Sequence, residues 1–412
     1  MQHNNTSAMK TFALLNILVS AVLVLPSCEI IDNDEDTHIM DKNPKYISLS
    51  EVADILASLQ ITSVQVREVQ DAVRSSSENG YDEEYTMKNL FSAPGTGVGD
   101  VASKSSSEYE LPLSRMIEEK LHKMAASSTK SSVSSTLDRL GVDGFLQALE
   151  DSDIQIYWPF NERHGSEDLP IITFDPEDGS EVNIGYRIVD NGDGFRQVEE
   201  VIVDEAMAEE FPVWVVNRNS DAEHTSLEML RREDPDWGEG GGNIIIKPKS
   251  ASGQSRSLIL KDFKMNRNYD TWFAGASEFF VKVGAVEDFT ASTEAELRLY
   301  TPAVTDFMIV VKRSQKGQPL PFNAVLVSDW SDQMTHCAFM ITEDDGGTMT
   351  TWDCKALVRV ASKSYGVEIK IPFNSRDDIV WRGQLAASWL EGNSDLAAHF
   401  GDVEATFEVV EY

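Results

Sequence analysis

The sequence is poor in positive charge. Its 412 residues include 69 acidic and 35 basic side chains, which gives a formal net charge of −34. So acidic a chain repels the phosphate backbone of nucleic acids, and we expect no nucleic-acid partner. It also lacks the polybasic clusters that hold proteins on anionic lipid headgroups. Any attachment to a membrane must therefore come from another chemistry.

Histidine motifs and nucleophile motifs are also missing. None of the seven histidines stands at metal-ligand spacing from another, and the sequence contains no His-Glu-x-x-His, so a zinc enzyme is not expected. The stretch 275–279 around Ser277 lacks the second glycine of a nucleophile elbow. We therefore assign no catalytic residues. A binding or structural protein is the leading interpretation, and a surface hydrolase with catalytic residues on β-loops is the alternative.

After residue 27 no segment is apolar for long enough to span a membrane. Residues 12–25 are mostly apolar, follow the basic Lys10 and lead into Leu25-Pro26-Ser27-Cys28. This run is shorter than the roughly 20 apolar residues of a spanning helix and is typical of a secretory signal. Its end resembles the bacterial lipobox, although Pro26 replaces the usual small residue. The resemblance implies a signal peptide over 1–27 and diacylglycerol on Cys28, through which the protein contacts the membrane.

An acidic segment follows the predicted lipidation site. Residues 29–36 read Glu-Ile-Ile-Asp-Asn-Asp-Glu-Asp. Runs of like charge stay extended, so we interpret residues 28–45 as a tether. The cluster also resembles the export signal that sends Bacteroidetes lipoproteins to the cell surface, and the two interpretations are compatible. They predict a lipid-anchored protein of the outer membrane, facing outward, with an envelope protein or a glycan as its partner.

The rest of the chain divides into a helical part and a β-rich part. Residues 46–150 show helical spacing of apolar residues and begin with the capping box Ser48-x-x-Glu51. From Ile154 the period changes to two, and short strands separated by Gly/Asp turns recur to the end of the chain, among them Ile171–Phe174 and Ala295–Tyr300. This pattern predicts a mainly β fold with antiparallel β-sandwich modules, the first over 151–250 and a C-terminal sandwich over 251–412.

Three stretches resemble uncharacterised surface lipoproteins of Bacteroidetes, namely residues 156–160, 172–176 and 272–279. The resemblance implies a similar location and carries no assigned activity. The last third also resembles C2-type β-sandwiches, in which an apolar strand leads into an acidic loop that binds calcium. Here the strand Val367–Ile371 precedes Asp377 and Asp378, and residues 372–374 stand where that class has acidic ligands.

Acidic turns are the best candidates for a functional site. Calcium takes six to eight oxygen ligands, and acidic loops that meet at one end of a sandwich could supply them. The alternative is that an excess of acid simply populates every exposed turn. The candidate ligands for Ca²⁺, the only cofactor we consider, are Asp329, Asp332, Glu343, Asp344, Asp345, Asp377 and Asp378.

Two cysteines remain once Cys28 is assigned to lipid. If Asp345-Gly346 forms a two-residue hairpin turn, Cys337 and Cys354 face each other across the two strands. The exported compartment permits disulfides, so this register predicts a structural bridge between them. Two buried free thiols in unrelated strands are the alternative.

Tryptophans in polar stretches suggest a second kind of ligand. Trp237 and Trp330 lie in turn-rich segments, where an exposed indole could stack on a sugar ring. We state glycan binding by these two residues as a hypothesis.

Overall fold

The fold was analysed in a computed structural model, which describes residues 46–92, 109–127, 134–190, 196–219, 224–233 and 256–411. The predicted signal peptide, Cys28, the tether and Trp237 lie outside these ranges. The described residues from Ile47 onward belong to one compact unit.

Eight helices and sixteen strands follow along these residues. The helices are α1 (Leu49–Ala57), α2 (Ser63–Glu78), α3 (Met87–Phe91), α4 (Leu113–Ala126), α5 (Ser134–Glu150), α6 (Glu205–Glu210), α7 (Leu227–Glu233) and α8 (Ala387–Gly392). The strands of the first half are β1 (Glu84–Thr86), β2 (Ile154–Tyr157), β3 (Ile171–Phe174), β4 (Asn183–Asp190), β5 (Arg196–Val203) and β6 (Val213–Arg218). The strands of the second half are β7 (Arg256–Met265), β8 (Ser277–Ala285), β9 (Ala303–Val311), β10 (Leu320–Val327), β11 (Met334–Glu343), β12 (Met349–Val360), β13 (Lys363–Asn374), β14 (Asp378–Ala386), β15 (Ala397–Phe400) and β16 (Val403–Glu411).

Side-chain capping boxes stabilise the N-termini of α1 and α2. Ser48 accepts a hydrogen bond from the backbone of Glu51, whose carboxylate accepts one from the Ser48 backbone, so the predicted capping box is present. Thr62 and Gln65 form the equivalent box at the start of α2. Both boxes satisfy backbone N–H groups that the first helical turn leaves without partners.

The first sheet has six strands in the order β1-β2-β6-β3-β4-β5. It is mixed, because β3 runs parallel to β6 while the other pairs are antiparallel. Helices α1 to α5 contribute to one core with the sheet face that carries Ile156, Ile172 and Trp214. The opposite face, with Tyr157 and Val215, packs against Trp272 and Phe273 from the second half of the chain. The helices and the first sheet thus pack as two layers around one core.

The second half is an antiparallel β-sandwich. One sheet has the order β10-β7-β16-β15, and the other has the order β13-β12-β11-β8-β9 with β14 also paired to β11. Apolar residues of both sheets form one core. The rings of Phe263 and Phe279 lie 5.1 Å apart, and those of Phe339 and Phe407 lie 5.6 Å apart. The prediction of a mainly β fold with antiparallel sandwich structure after a small helical segment is confirmed.

The predicted disulfide is wrong in this structure. Cys337 and Cys354 are both free, and Cys354 pairs with Ile369 of β13. The two-residue hairpin fails because β8 and β14 occupy both hydrogen-bonding edges of β11 from Ala338 to Glu343. Strand β12 pairs with β11 only at its base, around His336. Burial also raises the pKa of the Cys337 thiol, to about 12.

One strand prediction is also wrong. The stretch from Ala295 to Tyr300 was expected to be a strand, but Glu294–Leu299 forms a short 3₁₀ helix without a buried residue. A strand needs partners for its backbone groups, and here Ser292 and Thr293 donate hydrogen bonds to the Glu296 carboxylate, which closes a local turn instead.

Candidate metal centre

Strand pairing brings several acidic loops to one edge of the sandwich. Glu343, the last residue of β11, lies opposite Asp378 at the start of β14 and opposite Phe279 near the start of β8. In antiparallel neighbours the end of one strand meets the beginning of the next. The loop that precedes β8 therefore delivers Asp270 to the same edge, while the loop after β11 delivers Asp345.

Asp270, Glu343 and Asp345 form the centre of this edge. One carboxylate oxygen of each residue lies within 4.8 Å of the others, and this is the one such group of His, Cys, Asp or Glu found among the described residues. Glu343 is 1 % exposed, whereas Asp345 is exposed. The group thus has a buried inner carboxylate and an outer one that solvent reaches. Together these three residues could hold a metal ion.

Two oxygens in this group lack ordinary hydrogen-bond donors. Glu343 Oε1 and Asp270 Oδ2 are buried, and neither has a hydrogen-bond donor among the described residues. A buried carboxylate oxygen without a donor is costly unless it shares a proton or binds a cation. Burial and the neighbouring carboxylate of Asp270 raise the pKa of Glu343 far above its usual range. Burial and the proximity of the two carboxylates disfavour two negative charges here, and either a proton or a cation would relieve the repulsion.

A second carboxylate pair lies beside the first. Asp344 and Asp377 are 3 % and 8 % exposed, and burial followed by the proximity of Asp344 raises the pKa of Asp377. Asp344 Oδ1 accepts hydrogen bonds from the Gly346 backbone and from Asn374 Nδ2, both 3.2 Å away. Asp377 Oδ2 accepts one from the Asn374 backbone at 2.8 Å. These bonds hold the two acidic loops together.

Glycine permits the close approach of these loops. Gly347 has φ +102°, and a Cβ added there would lie 2.8 Å from Ser375 Oγ. Arg376 N donates to Gly346 O at 3.2 Å, and Ser375 N donates to Thr348 O at 2.9 Å. The loop 344–348 is therefore fixed against the loop 374–378 by backbone contacts.

Five of the seven acidic residues singled out from the sequence lie at this edge. They are Glu343, Asp344, Asp345, Asp377 and Asp378. Asp329 and Asp332 precede β11 and so lie toward the opposite end of that ten-residue strand. Asp332 pairs with Arg256 at 2.8 Å. A ten-residue strand is about 30 Å long, so these two cannot share an ion with Glu343.

Asp270 was missed by the sequence analysis. It lies 73 positions before Glu343, in a loop whose sequence has no ligand spacing. Only the pairing of β8 with β11 joins the two residues. The signal that was available is an acidic residue in the loop before a strand, on the side where that strand would meet the end of another.

The loop of Asp270 also borders a polar cleft. The cleft has a volume of about 430 Å³, and its walls include Asp270, Glu181, Glu205 and Arg313. Arg313 is nearly buried and donates to Glu205 Oε1 at 2.7 Å and to the Asp270 backbone oxygen at 3.2 Å. The charge of Arg313 is thus matched by Glu205 within the cleft.

The glycan hypothesis for Trp330 is wrong. Trp330 is 4 % exposed and donates its indole N–H to Met334 O at 2.7 Å, so its ring belongs to the sandwich core. A buried ring cannot stack on a sugar. Trp237 lies outside the described residues, and its role stays a prediction.

Comparisons with protein-family models, with curated proteins and with solved structures found no match to this chain. None of the helices among the described residues is both long and apolar enough to cross a membrane.

Proposed function

We propose that this chain is a lipid-anchored protein of the outer cell surface whose exported part binds calcium and has a binding or structural role in the envelope. The observation that carries the calcium part is the Asp270–Glu343–Asp345 group, with its buried and unpartnered Glu343 oxygen. The lipid anchor rests on the lipobox-like sequence that ends in Cys28.

Calcium suits this group better than a transition metal does. All three side chains offer hard oxygen ligands, and no histidine or cysteine belongs to the group. Carboxylates can bind calcium through one or both oxygens, and water completes the shell on the exposed side of Asp345. The ion would neutralise the charges of Asp270 and Glu343 and so relieve the repulsion between them.

Thermal melting tests the calcium proposal. A ligand that binds only the folded state stabilises it by about 1.4 kcal/mol at a concentration ten times its Kd. For a chain of this size we expect the melting temperature to rise by about 2 °C with millimolar calcium and to fall with chelator. Glu343→Gln should fold, since it mimics the protonated acid, but should not respond. An unchanged melting temperature of the wild type up to about 10 mM calcium would refute the proposal.

Lipid labelling tests the anchor independently. A clickable fatty acid should label the wild-type protein and leave Cys28→Ser unlabelled, because that thiol is the attachment point in the lipobox resemblance. Replacing the acidic residues of 29–36 by neutral ones should preserve labelling but lower the access of external protease. Equal labelling of Cys28→Ser would refute the anchor without affecting the calcium proposal.

The hydrolase alternative is supported by one observation, the cleft next to Asp270. A glycoside hydrolase needs two carboxylates that flank the scissile bond, one of them protonated. Burial raises the pKa of both Asp270 and Glu343, but their carboxylate oxygens lie within 4.8 Å of each other, closer than the roughly 5–5.5 Å between the carboxyl groups of a retaining glycosidase. Hydrolysis of chromogenic glycosides by the wild type and its loss in Glu343→Gln would favour this alternative.

A further inference from the structure

The segment that leads into α4, residues 109–113, is held by polar side chains of α2, and we call it the docked segment. Three side chains that recur every third residue along α2 contact it, which places them on one side of that helix. The contacts are those of Gln65 Nε2 with Leu111 O at 2.6 Å, of Glu68 Oε2 with Leu113 N at 2.8 Å, and of Asp71 Oδ2 with the Tyr109 hydroxyl at 2.7 Å. Polar contacts therefore fix the docked segment over its whole length.

Glu68 also replaces a missing helix cap. Helix α4 begins at Leu113, and the preceding Pro112 has no side chain that accepts a hydrogen bond, so α4 has no cap of its own. The Glu68 carboxylate, from a different helix, accepts the Leu113 N–H and satisfies one of the donors that a first helical turn leaves open. The dipole of α4 favours a negative charge on Glu68 at this position.

Burial of Glu68 opposes that charge. The side chain is 2 % exposed, and its other hydrogen-bond donor is the Tyr85 hydroxyl of β1, 3.5 Å away. Burial outweighs both hydrogen bonds and raises the pKa of Glu68 to about 7. The neutral acid and the anion are therefore both populated near neutral pH. The neutral form still accepts the Leu113 N–H through its carbonyl oxygen.

Among the described residues, no basic side chain offsets the charge of Glu68. The titratable groups of the elements packed against it are Tyr85 of β1 and Tyr109 of the docked segment, which interact with each other. On α2 itself, Asp71 is acidic and accepts the Tyr109 hydroxyl. At the start of α4, Arg115 is exposed and forms its ion pair within α4. An ionised Glu68 is therefore stabilised only by its two hydrogen bonds and the helix dipole, unless water reaches it.

We propose that the docked segment is a pH-controlled latch of the helical layer, closed while Glu68 carries a proton and opened locally as Glu68 ionises above neutral pH. Opening brings the carboxylate into water and removes the cost of burying its charge. The closed form binds a proton that the open form has released, so its advantage is lost as pH rises through the folded pKa. Opening frees the start of α4, where Leu113 and Ile117 belong to the core shared with the first sheet. The calcium site takes no part in this latch.

Amide hydrogen exchange of the full exported protein tests the latch. With Glu68 at its ordinary pKa of 4.5 in the open form and at about 7 in the closed form, the opening equilibrium should rise roughly 50-fold between pH 5 and pH 8. After correction for the intrinsic exchange rate, protection of residues 109–116 should fall by that factor. The opening is local, so exchange there should depend less on urea than exchange of residues 338–343 in β11.

Matched variants assign the pH dependence to Glu68. Glu68→Gln keeps an acceptor for the Leu113 N–H but has no proton to lose, so protection of residues 109–116 should be the same at pH 5 and pH 8. Asp71→Asn, the same change three residues further along α2, should retain the wild-type pH dependence. Equal pH dependence in wild type and Glu68→Gln would overturn the proposal. So would wild-type exchange at 109–116 that is as sensitive to urea as β11, because the segment would then open only with the whole fold.

Discussion

At the scale of single residues, burial of acid groups sets how stability depends on pH. Glu68 of α2 is 2 % exposed and accepts hydrogen bonds from Leu113 N at 2.8 Å and from the Tyr85 hydroxyl at 3.5 Å. Burial dominates over these bonds and raises the pKa of Glu68 to about 7. The folded protein therefore holds a proton that the unfolded chain has already lost between its usual pKa of 4.5 and about 7.

The contribution of Glu68 to stability is present below its ordinary pKa and is lost as pH rises through its folded pKa. At about pH 8 the loss is on the order of 3 kcal/mol, since one pKa unit corresponds to about 1.4 kcal/mol. We expect Glu68→Gln to melt at a higher temperature than wild type at pH 8 and at a similar temperature at pH 5. The control is Glu78→Gln on an exposed part of the same helix, and an equal effect of both variants would contradict the account.

The two core cysteines should behave as inert thiols. Burial raises the pKa of Cys337 to about 12 and that of Cys354, where Asp353 adds to the effect, to about 11. The thiolate is the reactive form, so both groups should react slowly with a thiol reagent at pH 8 unless the protein is unfolded. Intact mass after alkylation in denaturant should show two labels without prior reduction. A protein that is two hydrogens lighter and takes up no label would show that the disulfide forms.

At the scale of elements, the local signals in the sequence predicted most strands and helices. A short, mostly apolar run located the strand Ile171–Phe174 to the residue, and the Ser48 capping box located the start of α1. Such signals lie within one segment. The strand β14 was not predicted, because Arg382 and Gly383 interrupt its apolar pattern.

Pairing between distant segments could not be predicted. The hairpin register that set Cys337 opposite Cys354 requires β11 and β12 to pair along their length. Strand β14, which was not predicted, pairs with β11 there instead. The same limit applies to the metal centre. Local acidity indicated Glu343 and Asp345, but Asp270 joins them only through the β8–β11 pairing. Local acidity also indicated Asp332, which a salt bridge to Arg256 occupies.

Substitutions at two glycines, one in a strand and one in a helix, test how the secondary-structure elements pack. A Cβ on Gly185 of β4 would lie 2.4 Å from Val203 Cγ2 and 3.0 Å from Ile171 Cγ2, both on packed strands. We expect Gly185→Ala to destabilise the fold by about 1–3 kcal/mol, the usual cost of overpacking. Gly144 lies in the first turn after the kink at Gly141 in α5 and has only Leu140 Cβ near it, at 3.4 Å, so Gly144→Ala should stabilise by up to about 1 kcal/mol through helix propensity. Denaturant unfolding measures both, and the same sign for the two would contradict this description.

At the scale of the whole molecule, one loop links the candidate metal centre to the first sheet. The segment that contains Asp270 continues into Trp272 and Phe273, which pack against the first sheet, and Asn217 donates to Phe273 O at 3.0 Å. Arg313 connects the Asp270 backbone to Glu205 of α6. An ion bound to Asp270 would therefore stabilise the contact between the mixed sheet and the sandwich as well as the acidic edge itself.

Calorimetric titration of calcium into the purified protein tests the central claim most directly. The account predicts one ion per chain with a Kd of about 0.1–1 mM, the range of weak calcium sites in extracellular modules. Near pH 7, binding should release a proton from the Asp270–Glu343 pair, which two buffers of different ionisation enthalpy reveal. Glu343→Gln should lose at least about tenfold in affinity, and Asp332→Asn at the far end of β11 should lose none. Absence of binding, or equal affinity in wild type and Glu343→Gln, would contradict the account.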